Sequence, residues 1–129
     1  MAVITHTTKF FQKTVRKEHE IDATGQAIGR LASKVAFVLQ GKNKTDYTPN
    51  ADVGDSVKVT NVSKMAASGK KMEQKLYRHY SGYPGGLKER QLKELMAKNP
   101  GEALHHAVIR MLPKNYLRKG MIKRLKISK

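Results

Sequence analysis

The apolar positions of this chain change period several times, and each change marks an element. From Ile28 onward, Leu31, Ala32, Val35, Val38 and Leu39 recur at three- and four-residue spacing, which lines one face of a helix that must pack on a core. Gly41 supplies the stop. Before this helix, Glu18 to Asp22 reads as a short strand, and Ala23-Thr24-Gly25 turns the chain into the helix. After it, Thr48 to Asp55 is dense in turn formers and acids, and Ser56 to Thr60 alternates with Val57 and Val59 on one side. Strand, helix and strand make a βαβ unit, whose right-handed crossover sets the strands parallel and the fold class as α/β.

Beyond Val62 to Ala67, a short helical turn, period-two character returns from Met72 to Tyr80. It puts Met72, Gln74, Leu76, Arg78 and Tyr80 on one side, and Glu73, Lys75, Tyr77 and His79 on the other. A strand is predicted there. From Leu87 to Lys98, Leu92, Leu95 and Met96 form a narrow helical stripe. Asn99-Pro100 separates it from a second helix through Ala103, Leu104, Ala107, Val108, Met111 and Leu112, which Pro113 ends. Lys114 to Lys129 has no acid, yet Leu117, Met121, Ile122, Leu125 and Ile127 anchor it, so a short helix and a last strand are expected. The length suits one folded domain, 18–129, preceded by a basic extension, 1–17.

Charge adds what periodicity cannot. Lys and Arg number 26 against 10 Asp and Glu, a formal net charge of +16. The excess is uneven, with nine cations and six acids up to residue 60 but seventeen and four beyond it. Such a field strains the isolated fold, and a bound polyanion relieves it. An anionic membrane would need an amphipathic helix carrying the cations, and no such helix or spanning run is present. The absence of Cys excludes disulfides and thiolate metal sites. Residues 1–17 lack the apolar stretch of a secretory signal, so a basic extension in a cytoplasmic protein is expected.

The densest candidate chemistry is Lys70 to Tyr80, running into Ser81-Gly82-Tyr83-Pro84-Gly85-Gly86. Lys70, Lys71, Lys75 and Arg78 interleave with Tyr77, His79 and Tyr80, a surface for phosphates, sugar edges and exposed bases. Lysines alone could merely protect an edge strand. Tyr77, Tyr80 and Tyr83 are too many rings for that, and Gly82, Gly85 and Gly86 let another backbone approach closely, which favours RNA. Lys42 and Lys44, after the first helix, suit its dipole and a phosphate equally.

Catalysis finds little support. No Walker loop or dinucleotide fingerprint is present. Ser81 near His79 lacks a placed acid and oxyanion hole, and His105 and His106 diverge by about 100° on a helix and cannot readily share a metal. No catalytic residue, metal, cofactor or small-molecule substrate is therefore expected. The reading from another class is an RNA-modifying or RNA-processing enzyme with a basic α/β domain.

The assembled residues resemble the bacterial large-subunit ribosomal protein L13 family. The similarity runs through Ile21-Asp22-Ala23-Thr24-Gly25, Gly29-Arg30-Leu31-Ala32-Ser33, Tyr47-Thr48-Pro49, Ser68-Gly69-Lys70-Lys71, Lys75-Leu76-Tyr77-Arg78-His79 and Met111-Leu112-Pro113-Lys114-Asn115. The family's pattern is left at Glu18-His19, where many members have Trp-Tyr, and at Arg110, where glycine is usual. The histidine-rich extension common in bacterial members does not follow Lys129. The resemblance implies a three-layer α/β/α domain with a small, mostly parallel sheet of about four strands. It implies a structural constituent of the large ribosomal subunit that binds 23S-type rRNA, helps early assembly and has neighbouring large-subunit ribosomal proteins as partners. Carried over by position, the RNA-facing residues are Lys42 and Lys44, then Lys70 through His79 and the turn of Tyr83, Gly85 and Gly86. Lys114, Asn115, Arg118, Lys119 and Lys123 complete the set.

Overall fold

A computed structural model describes residues 15–128, so most of the expected 1–17 extension lies outside the described residues. The elements run β1 (Glu18–Asp22), α1 (Ile28–Gln40), β2 (Ser56–Thr60), a 3-10 turn (Val62–Lys64), α2 (Lys71–Gln74) and β3 (Leu76–Tyr80). They continue with β4 (Leu87–Gln91), α3 (Leu92–Lys98), α4 (Pro100–Met111), α5 (Arg118–Lys123) and β5 (Leu125–Ile127).

The βαβ unit forms as its pattern demands. α1 buries Ile28, Leu31, Ala32, Val35, Ala36 and Leu39. It ends where Gly41 takes the left-handed region at φ 80°, its N–H donating to the Val38 carbonyl at 3.0 Å. β2 pairs in parallel with β1, from Glu18 opposite Ser56 to Asp22 opposite Thr60. β5 joins the other side of β2, with Val57 opposite Leu125 and Val59 opposite Ile127.

This parallel sheet has the order β1-β2-β5 among the described residues, and the other two strands form a separate antiparallel ribbon. The α/β class stands, and the expected strands, about four, are divided between the two. The chain steps across the sheet in one direction, so right-handed crossovers carry the helices to the same side. On that side Val57 and Val59 are fully buried, α1 packs on β2, α4 packs on α1, and Ile127 lies against Gly101 of α4. On the opposite face Glu18 meets Lys126 at 2.9 Å and Glu20 meets Lys58 at 3.1 Å, both pairs open to solvent. α4 thus touches both α1 and the β5 edge of the sheet.

Two local expectations are corrected. The strand predicted from Met72 begins only at Leu76, because Lys71–Gln74 closes a helical turn, with the Gln74 N–H donating to the Lys70 carbonyl at 3.0 Å. The helix predicted from Leu87 begins at Leu92, and Leu87–Gln91 is instead the second strand of the ribbon. Its five residues are all exposed, so no apolar periodicity separates strand from helix there, and pairing with β3 decides. Pro100 stands in the first turn of α4, and the C-terminal segment folds into the expected helix and strand.

Candidate nucleic-acid interface

The β3–β4 ribbon carries the second half of the interleaved stretch, and α2 with its flanking Lys70 and Lys75 carries the first. The register of the ribbon sets Tyr77 opposite Arg90, Arg78 opposite Glu89, His79 opposite Lys88 and Tyr80 opposite Leu87. Alternation therefore gives one face with Tyr77, Arg90, His79 and Lys88, and another with Leu76, Arg78, Glu89, Tyr80 and Leu87. Each ring of the first face sits beside a cation of the partner strand. The connecting loop is closed by the Ser81 N–H on the Gly86 carbonyl at 3.2 Å and the Gly86 N–H on the Tyr83 carbonyl at 2.9 Å. Gly85, at φ 71°, makes that turn possible. Tyr83 is left 77% exposed at the tip and Tyr80 59% exposed beside it.

Tyr77 has a different environment from Tyr80 and Tyr83. It is half-buried, its ring 5.7 Å from the His106 ring of α4 at a 35° tilt, with the Lys75 ammonium 5.4 Å from its own centroid. Burial pushes the Tyr77 hydroxyl above its ordinary pKa, opposed by the nearby Arg110 charge. That hydroxyl is buried without a hydrogen-bond partner. Between the ribbon and α4 lies a cleft of about 310 Å³, to which Tyr77, His79, Lys88 and Arg90 contribute from the ribbon and His106 and Arg110 from the helix. Arg78 also reaches the cleft but is paired with Glu89 at 2.6 Å, while His106 approaches Glu102 at 3.6 Å.

The remaining expected residues divide into exposed cations and parts of the fold. Lys42, Lys70, Lys71, Lys75, Lys114, Lys119 and Lys123 are exposed, and Lys71 also donates to the Ser68 hydroxyl at 3.1 Å. Arg118 is half-buried, and its N–H donates to the Asn115 side-chain carbonyl at 3.2 Å, which opens α5. The Gln40 amide donates to the Met111 carbonyl at 3.5 Å, so Lys42 and Lys114 follow helix ends that are held together.

Lys44 is held by the interior. Its ammonium meets Asp55 at 2.6 Å and donates to the carbonyls of Val53 at 2.8 Å and Val15 at 3.2 Å, which occupies its three protons. Asp55 is 1% exposed and also accepts from the Lys17 N–H at 3.1 Å and meets His19 Nε2 at 2.9 Å. Burial would raise the Asp55 pKa, but these hydrogen bonds outweigh it and hold the carboxyl well below the usual range. Arg124 works alongside, gripping both oxygens of Asp52 at 2.5 and 2.6 Å and donating to the Leu39 carbonyl at 3.1 Å. It thereby supplies the cation that the last turn of α1 lacks.

Lys88, Arg90 and Arg110 also line the cleft, and the sequence did not group them, because the first two fall in a stretch expected as a helix and the third stands alone. A turn with three glycines after an alternating strand was the available signal for a hairpin. Among the described residues, no group of three or more His, Cys, Asp or Glu could hold a metal ion, and no helix is long and apolar enough to cross a membrane.

A family model described as ribosomal protein L13 matches residues 16–129 of the chain. The large ribosomal subunit protein uL13 of Caldanaerobacter subterraneus subsp. tengcongensis is 54% identical over 112 residues, which are 87% of this chain and 78% of that relative. The protein of the same description from Finegoldia magna is 52% identical over 112 residues, 87% of this chain and 78% of the relative. That of Clostridium tetani is 49% identical over 116 residues, 90% of this chain and 81% of the relative.

Proposed function

This chain belongs to the ribosomal protein L13 family, and on that premise we propose that it is a structural constituent of the large ribosomal subunit that binds 23S-type rRNA and aids early assembly. The family is generally non-enzymatic, and the role proposed is neutralising and shaping RNA rather than chemistry upon it. The ribbon is the observation that carries the reading. It presents exposed Tyr80 on a strand and exposed Tyr83 at its connecting loop beside a row of cations, held by the paired strands, so little entropy is lost when phosphates and bases are met. Contacts are assigned to Arg78, His79, Tyr83 and the Gly85-Gly86 backbone of the ribbon and to Lys70, Lys71 and Lys75 at α2 beside it. Lys42, Lys114, Asn115, Lys119 and Lys123 extend the face, with Arg118 half-buried behind them. Lys44 and Tyr77 are given supporting roles, the first holding Asp55 and the second bracing the ribbon on α4. Neighbouring large-subunit proteins are the other expected contacts.

Sedimentation tests this directly. The protein should migrate in stoichiometric amount with large subunits from a cell lysate, and a predominantly free pool that turns over RNA would replace this reading with that of an RNA-processing enzyme. Binding of the purified chain to rRNA should also be steeply salt-dependent. With about six phosphates neutralised, affinity falls roughly a thousandfold between about 50 and 200 mM salt.

A further inference from the structure

We propose that the cleft between the β3–β4 ribbon and α4 seats one unstacked nucleotide of the bound RNA, its base inside and its phosphate at the rim, an inference that rests on the RNA-binding reading above. The lining has two parts of unlike chemistry. Leu95, which is buried, and half-buried Tyr77 contribute an apolar and aromatic surface. Lys88 and Arg90 from β4 and Arg110 from the last turn of α4 contribute an exposed cationic rim. None of these three cations is paired with a carboxylate among the described residues, so like charges converge from two elements around a space that an anion would fill. The cleft measures about 310 Å³, at the lower end of the roughly 300 to 1,000 Å³ of ligand sites, which suits a single nucleotide and excludes a duplex.

The Tyr77 hydroxyl is the second and independent sign. It is buried without a hydrogen-bond partner, on a residue that lines the cleft. An unpaired buried hydroxyl is unfavourable, and a shift of the Tyr77 ring on binding would bring it to the polar edge of a base. Glu102 completes the assignment, because a carboxylate in the lining accepts from an exocyclic amino group. A flat base fits the apolar and aromatic floor while its phosphate meets the cations of the rim, so RNA is the occupant that uses both. Recognition of splayed single-stranded bases by rings and guanidinium groups is the common mode for RNA.

The test uses the full chain and large-subunit rRNA, with filter binding across salt concentrations and ultraviolet crosslinking read by mass spectrometry. The double variant Arg90→Glu, Arg110→Glu should bind rRNA at least tenfold more weakly, with a shallower salt dependence and a melting temperature no lower than that of the wild type, since it relieves repulsion between cations. Crosslinked nucleotide should be found on Tyr77, His79 or His106. Tyr77→Phe separates the base contact from packing: a several-fold loss of affinity with no loss of thermal stability supports the inference. A more stable variant with unaltered affinity overturns it, since the hydroxyl would then be a mere structural orphan. If the wild type binds rRNA while the double variant binds equally well and crosslinks map only to Tyr80 or Tyr83, the cleft is empty and the inference falls, but the proposed function stands. If the wild type does not bind rRNA, both fall. Displacement of the cleft crosslink by an oligoglutamate peptide at the same concentration as a single-stranded heptanucleotide would assign the cleft to a protein partner and overturn the RNA assignment.

Discussion

Asp55 shows how one carboxylate can decide what a neighbouring lysine is for. Fully buried, it is tolerable only because Lys44, His19 and the Lys17 N–H surround it, and removing one partner leaves a charge with too little compensation. Lys44→Met should therefore lower unfolding free energy by about 2 to 3 kcal/mol in urea titrations, and an effect below a few tenths would return Lys44 to the RNA face. The pH dependence has a definite sign. The folded pKa of Asp55 lies below the unfolded value of about 4, so its stabilisation is fully present above that value and is lost as pH falls towards the folded pKa. Between about pH 5 and pH 3 the wild type should lose more stability than Asp55→Asn, which carries no ionisable group there. Equal losses would mean that other carboxylates govern acid unfolding. From sequence alone, Lys44 could not be told apart from Lys42, because both follow Gly41 and only the return of the loop to β2 brings Asp55 to one of them.

At the scale of elements, packing against a neighbour separates what was legible from what was not. α1, β2 and α4 each bury an apolar row, and their periods were readable because burial is what imposes the pattern. β4 has no buried residue, so Leu87-Lys88-Glu89-Arg90-Gln91 carries no period and was absorbed into the helix that follows. With it went half of the ribbon and the cations that face α4, so the interface was legible as a composition and one strand but not as a cleft. β5 was faint for a similar reason, since it has only three residues and its place beside β2 is set by pairing rather than by a long apolar row. A close contact between elements gives a further prediction. Gly54 passes so near the end of α1 that a Cβ there would come within 1.8 Å of the Leu39 carbonyl oxygen. That carbonyl also accepts from Arg124, so neither partner can move cheaply. Gly54→Ala should cost at least about 2 kcal/mol by calorimetry or denaturant titration. Gly29→Ala, where a Cβ meets nothing, should be neutral or slightly stabilising, and a reversal of this order would show the α1 to β2 contact to be looser than described.

For the whole molecule, the +16 charge acts on folding and on binding with opposite signs. In the free protein the ribbon, α4 and the segment beyond Leu112 hold cations in excess of acids, and mutual repulsion opposes the compact state. Salt screens that repulsion over about 10 Å at 0.1 M, so the melting temperature of the free chain should rise between about 20 and 200 mM monovalent salt. The same screening weakens counterion release, so rRNA binding should weaken steeply over the same range. A ligand that binds only the folded state stabilises it with the logarithm of one plus its concentration over its dissociation constant, and rRNA should therefore raise the melting temperature most at low salt. Paired melts with and without rRNA should accordingly converge as salt increases. The ion pairs around Asp52 and Asp55 work in the other direction, but they are largely buried and so screened much less. Were the free protein instead to melt lower as salt rises, those local pairs would outweigh the general repulsion, and the cationic field would have to be regarded as already balanced within the fold rather than held in reserve for RNA.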